Sequence, residues 1–156
     1  MIYSFTGQPH AGKTTLAKHL KKVLEFNNPE KKVFIIDGDD LRKILNNKDY
    51  SEAGRRDNIS KAYAIARYLH QDEENDVILA VVSPFRDLRE DLKTDKNVIE
   101  VYIHTTDIRG RENFHVSNYE EPMIDFISID TSGVDEMTSL NELLEKIQQK
   151  QKENGK

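Results

Sequence analysis

A three-layer α/β fold with a mostly parallel five-stranded sheet is predicted by three observations. Short apolar runs alternate with amphipathic helical segments along the 156 residues, the pattern of strands joined by crossover helices. The runs Val33–Ile36 and Val77–Val82 are apolar throughout, as strands covered on both faces are. Polar clusters follow them, Asp37-Gly38-Asp39-Asp40 in one case and Ser83-Pro84-Phe85-Arg86 in the other. In such sheets, ligands bind beyond the carboxyl ends of the strands.

The elements follow in order. Ile2–Phe5 reads as a short buried strand, and Leu16, Leu20, Val23 and Leu24 recur at helical spacing until Asn27-Asn28-Pro29 stops the helix. After the strand Val33–Ile36, a short helix is expected from Asp40 to about Leu45. A longer one carries Ile59, Ala62, Tyr63, Ala66 and Leu69 on one face and is expected to run to about Asp72. The strand Val77–Val82 precedes a charged helix, Asp87 to about Lys93, and then the strand Val98–Ile103. An irregular segment from His104 to Pro122 leads to the last strand, Phe126–Asp130. Leu140, Leu143, Leu144 and Ile147 mark a closing helix. The expected organisation is one domain over residues 1–150 with a polar tail, 151–156.

Composition excludes several classes. The net charge is −5 with no basic run, which argues against a nucleic-acid partner. No cysteine is present, so disulfides and thiolate metal sites are excluded, in keeping with a reducing cytoplasm. No apolar run approaches membrane-spanning length, so no membrane partner is expected. Met1 leads straight into the first strand, which leaves no room for a signal peptide. A cytoplasmic location is the expectation.

The chemistry centres on Gly7-Gln8-Pro9-His10-Ala11-Gly12-Lys13-Thr14, which fits G-x-x-x-x-G-K-S/T and is followed by Thr15. Backbone N–H groups of such a loop point at phosphate oxygens, at a helix N-terminus. Lys13 can reach β- and γ-phosphates, and the Thr14 hydroxyl can take a site on Mg²⁺. The loop therefore predicts a nucleoside triphosphate. His10 lies inside it, but its backbone is the expected contributor, with the ring toward solvent. Asp37 and Asp39 flank a glycine at a strand end, where a carboxylate can hold Mg²⁺ through water or accept the proton of an attacking hydroxyl. The competing role is capping of the next helix, expected of Asp39 or Asp40, since Asp37 lies early for it. Arg42, Arg55 and Arg86 lie past strand ends, where the planar guanidinium suits phosphate. The guanine-reading pattern N-K-x-D fails, because Asn47-Lys48-Asp49 lacks the spacer. The other histidines (19, 70, 104 and 115) show no metal-ligand spacing. Tyr50 and Phe114 stand in polar stretches and suit either base stacking or local packing.

Taken together, these clusters resemble the adenylylsulfate (APS) kinase family. Ala11-Gly12-Lys13-Thr14-Thr15 matches its phosphate loop, and Asp37-Gly38-Asp39-Asp40-Leu41-Arg42 its D-G-D-x-x-R. Tyr50-Ser51, Arg55 and Asp57-Asn58-Ile59 match F-S-x-x-D-R-x-E-N-I. Ser83-Pro84-Phe85-Arg86 with Arg89 matches S-P-Y-R-x-x-R. Phe114-His115-Val116 and Tyr119-Glu120-Glu121-Pro122 stand where F-T-G and P-Y-E-x-P occur. The resemblance implies a P-loop kinase fold, with ATP on residues 7–15 and Mg²⁺ held by Thr14 and Asp37. The γ-phosphoryl would pass to the ribose 3′-hydroxyl of a small nucleotide, by family default adenylylsulfate. Lys13, Asp39 and Arg42 would be catalytic. The acceptor would be bound by Asp39, Arg42, Arg55 and Asn58, with Ser83 lining its pocket and Tyr50 and Phe114 sandwiching its base. A homodimer is also implied, since family members are often dimers.

The sequence departs from the family pattern at three places. Only ten residues separate Ile103 from Phe114, where APS kinases carry a longer basic lid of R-D-x-K-G-L-Y type. Arg109, assigned to the ATP site, and Arg111 are left to supply its charge. Gly54 replaces the aspartate of D-R-x-E-N, with one residue missing before Tyr50, and His115-Val116 replaces Thr-Gly. A different acceptor for the same reaction is therefore weighed beside APS: cytidine diphosphoramidate, the substrate of capsule-pathway relatives. A non-nucleotide alcohol fits the paired aromatics less well. Outside enzymology stands an ATP-binding regulatory module or pseudokinase.

Overall fold

The computed structural model describes residues 1–107 and 116–155. Arg109 and Phe114, assigned above to the ATP site and the base clamp, lie outside them. The described chain runs β1 (Ile2–Thr6), α1 (Lys13–Asn27), β2 (Lys32–Asp37), α2 (Gly38–Leu45), α3 (Glu52–His70), β3 (Asn75–Ala80), α4 (Arg86–Leu92), β4 (Val98–His104), β5 (Ile127–Asp130) and α5 (Glu136–Asn154). The strands form one sheet in the order β2-β3-β1-β4-β5. Every pair among them is parallel, so the sheet is more uniform than the mostly parallel one expected. Between β1 and β4 the helices α1, α2 with α3, and α4 return the chain to the same end of the sheet, as parallel pairing requires.

β1 is central and buried along its length, with Ile2 opposite Val77 of β3 on one side and Val98 of β4 on the other. Side chains alternate between the two faces with the period of a strand. Tyr3, Phe5, Ile78, Ile99, Val101 and Ile103 pack with Leu16, Ala17 and Leu20 of α1 and Leu140 and Leu143 of α5. Ile2, Val77, Leu79 and Val98 pack on the opposite face with Leu41 of α2, Ile59, Ala62, Tyr63 and Ala66 of α3, and Leu92 of α4. Helix, sheet and helix make the three layers. α5 continues through most of the polar tail to Asn154.

One charged group belongs to the second face. Glu100 of β4 lies under α4, and its carboxylate meets Arg89 Nε at 2.8 Å and Lys93 Nζ at 2.6 Å, with Arg89 and Glu100 both almost wholly buried. Arg89 also donates to the carbonyls of Ser83 and Glu120. It thus holds the loop after β3 against the segment before β5. Among the described residues, no helix is long and apolar enough to cross a membrane.

Candidate active site

The phosphate loop is placed by the end of β1. A side-chain carbon at Gly7 would lie 2.0 Å from the Ile103 carbonyl oxygen of β4, so only glycine lets the loop leave the sheet this close to its neighbour. Thr131 Oγ1, from the turn after β5, donates to the Ala11 carbonyl at 3.1 Å. Lys13 opens α1 and is buried, its Nζ donating to the carbonyls of Gly7 at 2.9 Å and Gln8 at 2.7 Å. Burial lowers its pKa to about 8, opposed by the nearby carboxylates of Asp39 and then Asp37. A cation so poorly solvated gains more from an arriving polyphosphate than an exposed lysine would. His10 is exposed, as expected, with φ at 64°.

β2 delivers the carboxylates. Asp37 turns out to be the N-cap of α2: its Oδ1 accepts from the backbone N–H groups of Asp39 at 3.0 Å and Asp40 at 3.2 Å. This corrects the expectation that Asp39 or Asp40 would cap. α2 begins at Gly38, immediately after the strand, rather than at Asp40, so the capping position falls on Asp37. Capping uses one carboxylate oxygen, and the other accepts from Thr14 Oγ1 at 2.7 Å. Two hard oxygen ligands therefore stand together at the edge of the phosphate loop, the donor type and geometry that suit Mg²⁺ beside phosphate. Asp39, one residue into α2, is exposed and faces the same cleft.

The opposite wall comes from α2, α3 and the loop between them. Arg42 Nη1 donates to the carbonyl of Asp49 at 3.0 Å and to Asn47 Oδ1 at 3.2 Å. Its guanidinium lies 4.1 Å from the centre of the Tyr50 ring, with that of Arg55 at 5.8 Å. Arg55 Nε donates to the Tyr50 carbonyl. Asn58 is buried, its Nδ2 reaching the Gly38 carbonyl at 3.4 Å. Ser83, buried beyond the end of β3, has φ at 46°, a strained backbone for a non-glycine residue. The Tyr63 hydroxyl bonds Ser83 Oγ, and burial pushes that hydroxyl up to about 12. Lys13, Thr14, Asp37, Asp39, Arg42, Tyr50, Arg55, Asn58 and Ser83 all line one cleft of about 730 Å³, which also takes in Pro9, His10, Gly12 and Thr15 of the loop.

Arg86 does not join them. Its Nε and Nη2 donate to the Glu121 carbonyl at 3.0 and 2.9 Å, which spends the guanidinium on the loop before β5. Sequence reasoning also missed a second cleft, of about 240 Å³, that shares His10, Gly12 and Thr15 of the phosphate loop with the first. Thr105, Asp107, Thr131, Val134, Glu136 and Ser139 line it together with Ala11 and Thr15. Its signal in the sequence is slight: two polar turns, after β4 and β5, that contain no familiar motif.

An all-parallel sheet, a phosphate loop between β1 and α1, and carboxylates at the end of β2 define a P-loop protein of three-layer α/β/α type. The chain belongs to the adenylylsulphate kinase family, whose model matches residues 1–114. An adenylyl-sulfate kinase of Burkholderia ambifaria is 44% identical over 85 residues, 54% of this chain and 45% of that one. The cytidine diphosphoramidate kinase of Campylobacter jejuni is 34% identical over 103 residues, 65% of this chain and 59% of that one. The match spans about half the length of these curated relatives. Among solved structures, Mycobacterium tuberculosis APS kinase CysC in complex with AMPPNP and APS superposes with a TM-score of 0.77 at 21% identity. That superposition covers 94% of this chain and 96% of the other, and it supports the fold.

Proposed function

We propose that the protein is an ATP-dependent kinase that phosphorylates the ribose 3′-hydroxyl of a small nucleotide, with adenylylsulfate as the first acceptor to test. The carrying observation is the single 730 Å³ cleft, in which the phosphate-loop lysine, the Asp37 and Asp39 carboxylates and the Arg42–Tyr50–Arg55 wall face one another. The smaller cleft beside the loop would take the donor nucleoside, with the triphosphate running along the loop into the larger one.

In this reading Lys13 exchanges its bonds to the loop carbonyls for the β- and γ-phosphates and offsets charge that builds during transfer. Thr14 and Asp37 would hold Mg²⁺, which neutralises the phosphate oxygens and fixes their orientation. Asp39 orients the acceptor hydroxyl and takes its proton as the oxygen–phosphorus bond forms and the γ-phosphorus bond to the leaving ADP oxygen breaks. Arg42 and Arg55 bind the acceptor's anionic end, and Tyr50 supplies one aromatic face for its base.

A second acceptor, cytidine diphosphoramidate, is favoured by a rebuilt wall. A side-chain carbon at Gly54 would lie 2.4 Å from Asp49 Cγ and 2.2 Å from the Asp49 carbonyl oxygen, so the loop before Tyr50 lies against α3 at the point where the family motif carries a side chain. A coupled ADP-release assay with ATP, Mg²⁺ and a panel of APS, cytidine diphosphoramidate, nucleoside diphosphates and sugar alcohols tests both. Turnover with APS supports the family default, and turnover confined to the cytidine compound supports the rebuilt pocket. ATP binding without turnover of any member overturns the kinase reading in favour of a binding module.

A further inference from the structure

Gln8 occupies the first variable position of the phosphate loop, where only the backbone is needed for phosphate. Its side chain is engaged elsewhere. Gln8 Nε2 donates to the Val116 carbonyl at 2.9 Å, and Gln8 Oε1 accepts from the Val116 N–H at 2.8 Å. A side-chain amide paired with both the N–H and the carbonyl of one residue fixes position and orientation together, as one hydrogen bond alone does not. Val116 in turn lines the large cleft and a further small cleft beside Tyr50, Arg55 and Pro84.

The same stretch of chain is fastened at other points, to the end of β1, the loop after β3 and α4. The Tyr119 hydroxyl bonds Thr6 Oγ1 at 2.7 Å, and Glu120 N–H donates to the Pro84 carbonyl at 2.9 Å. Gln8 alone, among these contacts, ties it to the phosphate loop. The Gln8 main chain meanwhile carries the carbonyl that accepts from Lys13 Nζ at 2.7 Å. One residue thus touches the group that binds the donor phosphates through its backbone and the acceptor-side wall through its side chain.

We infer that Gln8 is a positioning residue that sets the acceptor pocket from within the donor loop, holding Val116 in register with the bound triphosphate. This rests on the kinase reading above. Filling the loop would draw Lys13 from the Gln8 carbonyl onto phosphate and leave the side-chain pair to Val116 in place, so the loss of that pair is read at the acceptor.

Gln8→Leu keeps the bulk and removes both bonds. Losing two hydrogen bonds to one partner predicts an acceptor KM raised about tenfold, with the KM for ATP changed by less than about twofold. Gln8→Glu retains an acceptor for the Val116 N–H but sets a carboxylate against its carbonyl, so its acceptor KM falls no lower than that of the leucine variant. These constants are read with whichever member of the acceptor panel the wild-type protein turns over. Equal shifts in both Michaelis constants, or an unmoved acceptor KM, would overturn the inference. If the wild-type protein turns over no member of that panel, the kinase reading has failed, and deuterium exchange at the Val116 amide with AMPPNP bound decides the pin separately. Exchange at least about tenfold faster in Gln8→Leu supports it, and an unchanged rate overturns it.

Discussion

The buried lysine makes a prediction about protons. In the free protein Lys13 titrates at about 8, because burial outweighs its attraction to Asp39 and Asp37. A bound polyphosphate supplies the charge that burial removed and returns the group to its full protonation. At pH 8.5 a base with a pKa near 8 holds only about a quarter of a proton, so ATP binding should take up about three-quarters of one. At pH 7 the same arithmetic leaves about a tenth. The sign follows from linkage: the bound form holds more protons, so affinity for ATP falls as pH rises above 8. Titration calorimetry in buffers of low and high ionisation enthalpy reads the uptake directly, as a difference in binding heat. Lys13→Arg, charged at every accessible pH, should abolish the buffer dependence at pH 8.5 whatever it does to affinity. Wild-type heats that are the same in every buffer at pH 8.5 would refute the reasoning, since Lys13 would then carry its full charge before ATP arrives.

Three further outcomes are expected. Gly54→Ala should destabilise the protein by about 1–3 kcal/mol in urea unfolding, because the added carbon meets Asp49; helix propensity alone has the opposite sign, so stabilisation would refute the contact. Asp37→Ala should lose about 1 kcal/mol of stability through the missing cap of α2 and should raise the Mg²⁺ concentration needed for half-maximal activity. An unchanged Mg²⁺ requirement would remove Asp37 from the metal site. Arg89→Met should cost about 3 kcal/mol by leaving Glu100 buried with Lys93 as its remaining cationic partner, read by chemical unfolding; a loss below about 1 kcal/mol would show that Lys93 suffices.

Much of the site was legible because its signals are local. The phosphate loop is a continuous string, and the backbone does the binding, so spacing alone located it. Apolar runs that end in charged residues marked strand ends, and the parallel topology then gathered those ends on one edge. Asp37, Asp39 and Arg42 were found in this way and Ser83 through the family resemblance, and all four line one cleft. What failed depends on details of one residue. A helix that starts directly from a strand moves the cap from Asp40 to Asp37. Arg86 has the composition of an anion binder, but whether a guanidinium faces a cleft or a carbonyl is settled by the segment from Tyr119 to Glu121, whose path no periodicity encodes. The Gln8–Val116 pair joins residues 108 positions apart, and no pattern in one sequence announces such a contact.

The departures from the family motif acquire a physical meaning once placed together. Gly54 and the shortened approach to Tyr50 look like two independent losses in the sequence. In the fold they are one change, since the glycine leaves the space beside α3 into which the Asp49 main chain and side chain pack. Asp49 accepts from the Ser51 N–H at 2.9 Å, its carboxyl held below the usual range mainly by hydrogen bonds from Ser51 and further by the Arg42 charge. Its main-chain carbonyl accepts from Arg42 at 3.0 Å. An acidic side chain thus remains beside the start of α3, brought from the loop rather than from the helix. The Arg42–Tyr50 stack is held from the same loop. On the proposed kinase reading, an acceptor would meet a wall in which Arg42, Tyr50 and the Asp49 carboxylate are all set by one loop packed into the space that Gly54 leaves.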